Sequence, residues 1–224
     1  MNHYFQPPIC GLVFDMDGLI FNSERVVQRS WDWAGEALGF PQLGEQIYHT
    51  IGFNAKRREV FFRETVSPDF PMDDFNILTR KRYREIIEGE GLEKKPGVEE
   101  LLAYASEGGY KIALATSSSS GHAGRLMEEQ GLLKYFNSAV FGDMVTEGKP
   151  NPEIYQKACQ GLGVSPAHAL ALEDSPSGIR SAAAAGMRAI MIPDLVEPDE
   201  QVLELAWRRY DSLFDVLSLL KEGK

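Results

Sequence analysis

Residues 9–18 read ICGLVFDMDG, and the rest of the expected fold can be arranged around them. Residues 9–14 form a short, nearly continuous apolar run, which is typical of a strand covered on both faces in a parallel sheet. Asp15 and Asp17 follow at the carboxyl end of this strand, and because strand side chains alternate, both should lie on the same side. Gly18 lets the chain turn sharply directly after them.

The two neighbouring aspartates predict a cation site. Carboxylates as close as those of Asp15 and Asp17 repel each other unless a cation or a shared proton lies between them. Mg²⁺ prefers oxygen ligands and is usually bound by a few carboxylates together with water and substrate phosphate. The alternative is that one aspartate caps the next turn, but that role does not explain the second aspartate.

Four further segments have the length and apolar character of strands: residues 111–115, 138–141, 169–172 and 188–192. Segments with helical periodicity alternate with them, at residues 98–105, 123–133, 152–162 and 175–185. Alternating strands and helices predict an α/β fold with a Rossmann-like, doubly wound parallel sheet. Such sheets bind ligands at the carboxyl ends of their strands.

Residues 22–91 interrupt this alternation and contain no convincing strand. A helical stripe begins near Val26 and ends at Gly39, and two more helical segments follow it. The segment from Gly89 to Gly91 predicts a hinge back to the sheet. We therefore expect an α/β core made of residues 1–21 and 92–224, with a helical domain, residues 22–91, inserted after the first strand.

The later predicted strands also end in polar residues. Thr116 and Ser117 could bind an anion through hydroxyl and backbone N–H groups, although a plain helix N-cap is the alternative. Lys149 lies between a glycine and a proline, on a stiff segment that could hold its ammonium at a fixed point; a solvated lysine is the alternative. Glu173 and Asp174 form a second acidic pair before a helix, where a cap would require only one of them. All of these residues are expected at one edge of the sheet.

The motifs FDMDG, ATSS, GKPNP and LEDS, in this order, resemble the four signature motifs of the haloacid dehalogenase (HAD) superfamily. The insertion resembles the helical cap domain of the subgroup that contains β-phosphoglucomutase and sugar-phosphate phosphatases. The resemblance covers nearly the whole chain. It implies a HAD-like core with a cap, Mg²⁺ as cofactor, and hydrolysis of phosphate esters through an aspartyl-phosphate intermediate.

The resemblance also implies the roles of the two aspartates of the first motif. Asp15 would be the nucleophile and a metal ligand. Asp17 would be the general acid for the leaving oxygen and then the general base for water, with its backbone carbonyl on the metal. The true dehalogenases of the superfamily lack this second aspartate, and an alcohol leaving group needs an acid, so its presence favours phosphate-ester chemistry.

The roles of the later motifs follow from the same resemblance. Thr116 and the backbone amide of Ser117 would bind the transferring phosphoryl group. Lys149 would neutralise charge between the nucleophile and the phosphate. Asp174 would complete the metal site, with Glu173 beside it either directly or through water.

Two positions bear on whether the enzyme is a phosphatase or a mutase. β-Phosphoglucomutases carry a histidine where this chain has Val27 and a cap arginine where it has Ala55. We therefore predict a phosphatase for small metabolites, with sugar phosphates as the expected class; a hexose phosphate mutase that resembles β-phosphoglucomutase is the alternative. In the cap, Lys56 and Arg57 are candidate substrate-binding residues, and a solvated helix face is the alternative reading.

The composition limits the partners of this 224-residue chain. Its net charge of −10 disfavours nucleic acid and anionic membranes as partners. Its two cysteines form no metal-ligand or disulfide pattern, and no signal peptide or membrane-spanning run is recognisable. We expect a cytoplasmic monomer that acts on a small phosphorylated metabolite. A non-catalytic binding protein on the same scaffold is the other class, but it would be expected to have lost one of the motif residues.

Overall fold

A computed structural model describes residues 8–223 and has a six-stranded sheet at its centre. The strands are β1 (Gly11–Phe14), β2 (Lys111–Ala115), β3 (Ser138–Val140), β4 (Ala169–Glu173), β5 (Arg188–Met191) and β6 (Arg208–Arg209). They are arranged in the order β3-β2-β1-β4-β5-β6, and every pairing is parallel. The predicted α/β fold with a parallel sheet is thus confirmed. The two exposed arginines of β6 carry no apolar pattern, so this strand was not predicted.

β1 lies in the middle of the sheet and is buried on both faces. Leu12 and Phe14 pack into the apolar cluster on one face, and Val13 packs into the cluster on the other. β2 flanks β1 on one side and β4 on the other. From β1 the chain continues to β2 and β3 on one side, and it then crosses back to β4, β5 and β6 on the other. The carboxyl end of β1 therefore lies at the topological switch point, where such sheets bind ligands.

Helices cover both faces of the sheet. On one face lie α5 (Val98–Glu107), α6 (Ser120–Glu129) and α10 (Leu213–Glu222). On the other lie α7 (Glu153–Leu162), α8 (Pro176–Ala184) and α9 (Glu200–Leu205). The four helical segments predicted between the strands correspond to α5, α6, α7 and α8, with bounds that differ by a few residues.

Residues 22–91 contain helices α1 (Ser23–Leu38), α2 (Ile47–Thr50), α3 (Ala55–Thr65) and α4 (Met72–Glu90). They have an apolar cluster of their own, in which the ring of Phe62 lies 4.9 to 5.2 Å from those of Trp31, Phe70 and Phe75. α1 is followed by Gly39, which caps the helix with a φ of 81° that suits glycine. The short α2 was not predicted, and the division of the chain at residues 22 and 91 stays a prediction.

The two segments that join these helices to the sheet run side by side. Phe21 and Lys94 form an antiparallel bridge, and the backbone N–H of Asn22 donates to the carbonyl of Glu93 at 2.9 Å. After β5, Leu195 and Val196 pack against the apolar cluster of the inserted helices. These contacts place the inserted helices over the carboxyl end of β1. Nowhere in residues 8–223 does a helix have the length and apolar character to span a bilayer.

Candidate active site

Asp15 and Asp17 lie at the carboxyl end of β1, as the strand pattern predicts, but in different surroundings. Asp15 is buried, and its backbone N–H donates to the carbonyl of Leu172 at 3.0 Å. The carboxylate of Asp17 accepts hydrogen bonds from the hydroxyls of Ser23, at 2.8 Å, and Ser118, at 2.7 Å. Ser23 is the first residue of α1, so an inserted helix helps to orient this carboxylate.

Lys149 is brought to Asp15 from a distant loop and is almost completely buried. Its Nζ donates to Asp15 Oδ1 at 2.6 Å, to Glu173 Oε1 at 2.5 Å and to the carbonyl of Ala115 at 3.1 Å. All three hydrogen atoms of the ammonium therefore have acceptors. Although burial alone lowers the pKa of an ammonium, Asp15 and Glu173 raise the pKa of Lys149 above its ordinary value.

Glu173 accepts several hydrogen bonds next to Lys149. Besides the lysine, the hydroxyl of Tyr155 donates to its Oε1 at 2.5 Å, and the hydroxyl of Ser175 donates to its Oε2 at 2.9 Å. Gly178 leaves the space for this carboxylate, because a Cβ there would lie 2.0 Å from Oε1. The sequence analysis did not single out Tyr155, since a buried tyrosine on α7 follows the same apolar pattern as a core residue.

Three acids form a group that fits a hard cation. Asp15, Glu173 and Asp174 are all buried, and each offers a carboxylate oxygen within 4.8 Å of the others. Oδ2 of Asp174 is buried and has no hydrogen-bond partner within residues 8–223. A cation such as Mg²⁺ would supply the missing partner. The carboxylate of Asp17 lies outside this group, which leaves only its backbone carbonyl as the predicted metal contact.

The crowding of these acids changes their protonation. Burial raises the pKa of Asp15 to about 8; Glu173 and Asp17 act in the same direction, and Lys149 opposes them. Burial and the neighbouring carboxylates also raise the pKa of Asp174 well above its usual range. A divalent cation bound among these oxygens would lower both pKa values and favour the carboxylate that a nucleophile requires.

The residues after β2 only partly match the predicted anion site. Thr116 is completely buried, and its Oγ1 accepts a hydrogen bond from the N–H of Ser118 at 3.1 Å, so its hydroxyl orders the loop. The hydroxyl of Ser117 donates to the carbonyl of Gly52 in the inserted segment at 2.9 Å. Ser117 and Ser118 line the cavity described next, whereas Thr116 does not.

A cavity of about 480 Å³ lies between the strand ends and the inserted helices. Asp15, Asp17 and Asp174 line it, together with side chains of α1, α3 and α4. The positions that distinguish β-phosphoglucomutases, Val27 and Ala55, also line it. Three of the predicted acids, Asp15, Asp17 and Asp174, are therefore accessible to a small ligand in a cavity that the inserted helices also line.

The candidate substrate-binding residues Lys56 and Arg57 do not line this cavity, whereas Arg58 does. Arg57 stacks on the ring of Phe53 at 3.7 Å and donates to the carbonyl of Lys149 at 2.8 Å. α3 begins at Ala55, and successive helical residues are rotated by about 100°, so only one of three consecutive side chains faces the cavity. The sequence identified the basic cluster but not which member faces inward.

A family model, curated relatives and solved structures all relate this chain to the same family of hydrolases. A family model described as haloacid dehalogenase-like hydrolase matches residues 10–186. YhcW from Bacillus subtilis is 36% identical over 196 residues, which cover 84% of this chain and 85% of that protein. A Thermotoga maritima protein named phosphorylated carbohydrates phosphatase is 28% identical over 212 residues, covering 94% and 98%. The crystal structure of CbbY from Rhodobacter sphaeroides in complex with phosphate superposes with a TM-score of 0.80 at 29% identity, covering 95% of this chain and 99% of that chain.

Proposed function

This chain belongs to the haloacid dehalogenase-like hydrolases and is a phosphatase, and we propose that it hydrolyses phosphate monoesters of small metabolites through an aspartyl-phosphate intermediate on Asp15. Sugar phosphates are the expected substrate class, and the carbohydrate phosphates in the name of the Thermotoga relative support it. Mg²⁺ is the proposed cofactor.

One observation carries this proposal. Asp15 lies 2.6 Å from the ammonium of Lys149 and also borders a cavity that the inserted helices cover. Phosphoryl transfer depends mainly on positioning and on neutralisation of charge, and a lysine fixed beside a carboxylate nucleophile provides both. The covered cavity suits a small ester rather than a folded phosphoprotein.

The first half of the proposed reaction forms the intermediate. A carboxylate oxygen of Asp15 attacks phosphorus, and the bond between phosphorus and the ester oxygen breaks. Asp17 gives its proton to the departing alkoxide, with Ser23 and Ser118 holding its carboxyl group in place. Lys149 keeps its positive charge throughout, because Asp15 and Glu173 raise its pKa.

The second half releases phosphate. Water attacks phosphorus, Asp17 accepts the proton of this water, and the bond between Asp15 and phosphorus breaks, which regenerates both aspartates. Mg²⁺, when bound, would neutralise negative charge on the phosphoryl oxygens. Asp15, Asp174 and, directly or through water, Glu173 would hold it, and their grouped carboxylates support this assignment.

Two positions in the cavity lining support hydrolysis over the mutase alternative. Val27 and Ala55 present apolar side chains to the cavity at the positions where β-phosphoglucomutases carry a histidine and an arginine. Neither side chain can donate a hydrogen bond to a reoriented bisphosphate. The monomeric state and the cytoplasmic location stay predictions, as does the absence of nucleic acid as a partner.

The decisive experiment is release of phosphate from p-nitrophenyl phosphate and from a panel of sugar phosphates, with MgCl₂ and then with EDTA. We expect activity with Mg²⁺, loss in EDTA and recovery on adding Mg²⁺ back. Asp15→Asn should be inactive, and Asp69→Asn, at an exposed position, is the matched control. Wild-type hydrolysis by Asp15→Asn would refute the mechanism. Interconversion of hexose phosphate isomers with a bisphosphate activator would instead favour the mutase.

A further inference from the structure

The active-site cavity is lined by several positively charged side chains, although the protein carries a net charge of −10. Four arginines from three helices line it: Arg58 from α3, Arg80 and Arg84 from α4, and Arg125 from α6. We call these four side chains the arginine mouth. The cavity is also lined by four acidic residues, Asp15, Asp17, Glu24 and Asp174, none of which lies on the helices that carry the arginines. Side chains of both charges therefore line the cavity.

Arg58 is the most buried member of the arginine mouth. Its Nη2 donates to Asn76 Oδ1 at 3.3 Å, and its guanidinium lies 5.7 Å from the ring centroid of Trp31. Its Nε is buried and has no hydrogen-bond partner within residues 8–223. A buried N–H of a charged group that has no acceptor costs free energy, so an acceptor atom of a bound ligand would stabilise Arg58.

Arg80 and Arg84 lie one turn apart on α4, and neither has a carboxylate partner among the residues that the structure describes. Like charges at this spacing destabilise a helix. Arg82 on the same helix differs, because it pairs with Glu85 at 3.2 Å and does not line the cavity. Burial lowers the pKa of Arg58 and the charge of Arg80 lowers it further, while the carboxylate of Glu24 acts in the opposite direction; the guanidinium groups of Arg58 and Arg80 therefore lie close enough to repel.

Tyr83 also lines the cavity, on the same helix as Arg80 and Arg84, and it lies near the carboxylates of Asp17 and Glu24. Its hydroxyl is buried and has no hydrogen-bond partner within residues 8–223. Burial raises the pKa of Tyr83, and the carboxylates of Asp17 and Glu24 raise it further, so the catalytic acid lies near this residue. Tyr83 lines the same cavity as Asp15 and the arginine mouth, so its hydroxyl is available to donate to a ligand bound there.

We propose that the arginine mouth binds a second anionic group of the substrate, a phosphate or a carboxylate, while the scissile phosphate lies at Asp15. Guanidinium groups form paired, charge-assisted hydrogen bonds with both of these anions, and a bound anion would relieve the repulsion among the arginines. The enzyme is thereby assigned to small metabolites with an anionic group at each end. This inference rests on the proposed phosphatase function.

The test compares three substrates that share a 6-phosphate and differ at the other end. Glucose 6-phosphate is neutral there, 6-phosphogluconate has a carboxylate, and glucose 1,6-bisphosphate has a phosphate. We expect kcat/KM for one or both of the substrates that are anionic at both ends to exceed that for glucose 6-phosphate at least about tenfold, as charge-assisted hydrogen bonds permit. Whichever substrate is preferred identifies the second group, and equal values for all three would overturn the proposal.

Variants locate the preference in the arginine mouth. In the Arg80→Ala/Arg84→Ala double variant, the preference should fall about fivefold or more. Arg82→Ala, which removes one positive charge from the same helix outside the cavity, should keep the wild-type preference. An unchanged preference in the double variant, or an equal fall in Arg82→Ala, contradicts the assignment, because the effect would then be absent or only long-range.

A binding measurement makes the test independent of turnover. In the Asp15→Asn background, calorimetry should show that the double substitution weakens binding of the preferred substrate more than that of glucose 6-phosphate. Equal weakening of both would refute the arginine mouth even if the enzyme is a phosphatase. Conversely, absence of p-nitrophenyl phosphate hydrolysis by the wild type would refute the proposed function, whatever the binding data show.

Discussion

At the scale of single residues, the carboxylate of Asp17 is held by two hydroxyls that come from different parts of the chain. Ser118 follows β2, whereas Ser23 begins the first inserted helix. The position of the proposed acid and base therefore depends on the inserted helices as well as on the sheet. Of these contacts, only the ATSS motif gave a sequence signal, and only for Ser118.

We predict that Asp17→Asn lowers kcat for alkyl phosphates by about 10²- to 10⁴-fold, the usual contribution of a general acid or base. p-Nitrophenol is a better leaving group that needs no proton, so formation of the intermediate from its phosphate should be less affected. Steady-state rates with both substrates, and mass spectrometry for a covalently bound phosphoryl group, test this. Wild-type rates on alkyl phosphates would require a different acid.

The role of Tyr155 as a hydrogen-bond donor to Glu173 is visible only in the tertiary structure. Tyr155→Phe removes the hydroxyl that donates to Glu173 at 2.5 Å and leaves the apolar packing intact. Because hydrogen bonds to charged groups are strong, we expect the free energy of unfolding to fall by about 1.5–3 kcal/mol in urea denaturation.

Tyr48→Phe is the control for this prediction, because Tyr48 is exposed and only accepts a 3.3 Å contact from Gln28. Its free energy of unfolding should stay within about 0.5 kcal/mol of the wild type. If Tyr155→Phe costs no more than this control, the hydroxyl does not stabilise Glu173.

At the scale of elements, the loop before α7 places Lys149, and the first residue of that helix holds the loop. The carboxylate of Glu153 accepts hydrogen bonds from the backbone N–H groups of Thr146 and Glu147, both at 3.0 Å, and pairs with Lys157 at 2.7 Å. One acidic side chain thus joins the loop to the start of α7.

The contacts of the Glu153 carboxylate with the loop and with Lys157 should make the stability of the protein depend on pH. The hydrogen bonds from Lys157 and the two backbone amides lower the pKa of Glu153 to about 2, from an ordinary value of 4.5. A carboxyl group with a lowered folded-state pKa stabilises the protein above pH 4.5, and this contribution is lost as the pH falls toward 2.

Glu153→Gln removes this contribution at every pH. Its urea midpoint should lie below that of the wild type at neutral pH, and the difference should shrink as the pH falls below 4.5. A difference that stays constant down to about pH 2 would mean that this carboxylate does not carry the effect. Glu64→Gln, at an exposed helix position, is a suitable control.

At the scale of the whole molecule, the three acids of the proposed metal site come from β1 and from the end of β4, the two central strands. A cation that binds only the folded chain stabilises it by about 2.7 kcal/mol at a concentration one hundred times its Kd. We therefore expect MgCl₂ to raise the Tm above that in EDTA. Asp174→Asn should abolish this increase, and Asp69→Asn should retain it; the same increase in both variants would place the ion elsewhere.

The two thiols offer a second probe of the whole fold. Cys159 lies in the apolar cluster on one face of the sheet, and burial raises its pKa to about 11, whereas Cys10 is exposed. We expect one thiol to react quickly with a disulfide reagent in the native protein and both to react in urea. Because Cys159 is exposed only when the cluster opens, its labelling should follow global unfolding; rapid reaction of both native thiols would contradict this.

The sequence alone was sufficient for five of the six strands and for the four motifs, because both depend on short-range patterns. Apolar runs of strand length followed by polar residues predicted β1, β2 and β4, and with them the edge where Asp15, Thr116 and Glu173 lie. Packing in three dimensions settled the rest: which of Lys56, Arg57 and Arg58 faces the cavity, and which hydroxyls hold the acids. Such contacts join residues far apart in sequence, and their geometry depends on how helices rotate and pack, which no local pattern encodes.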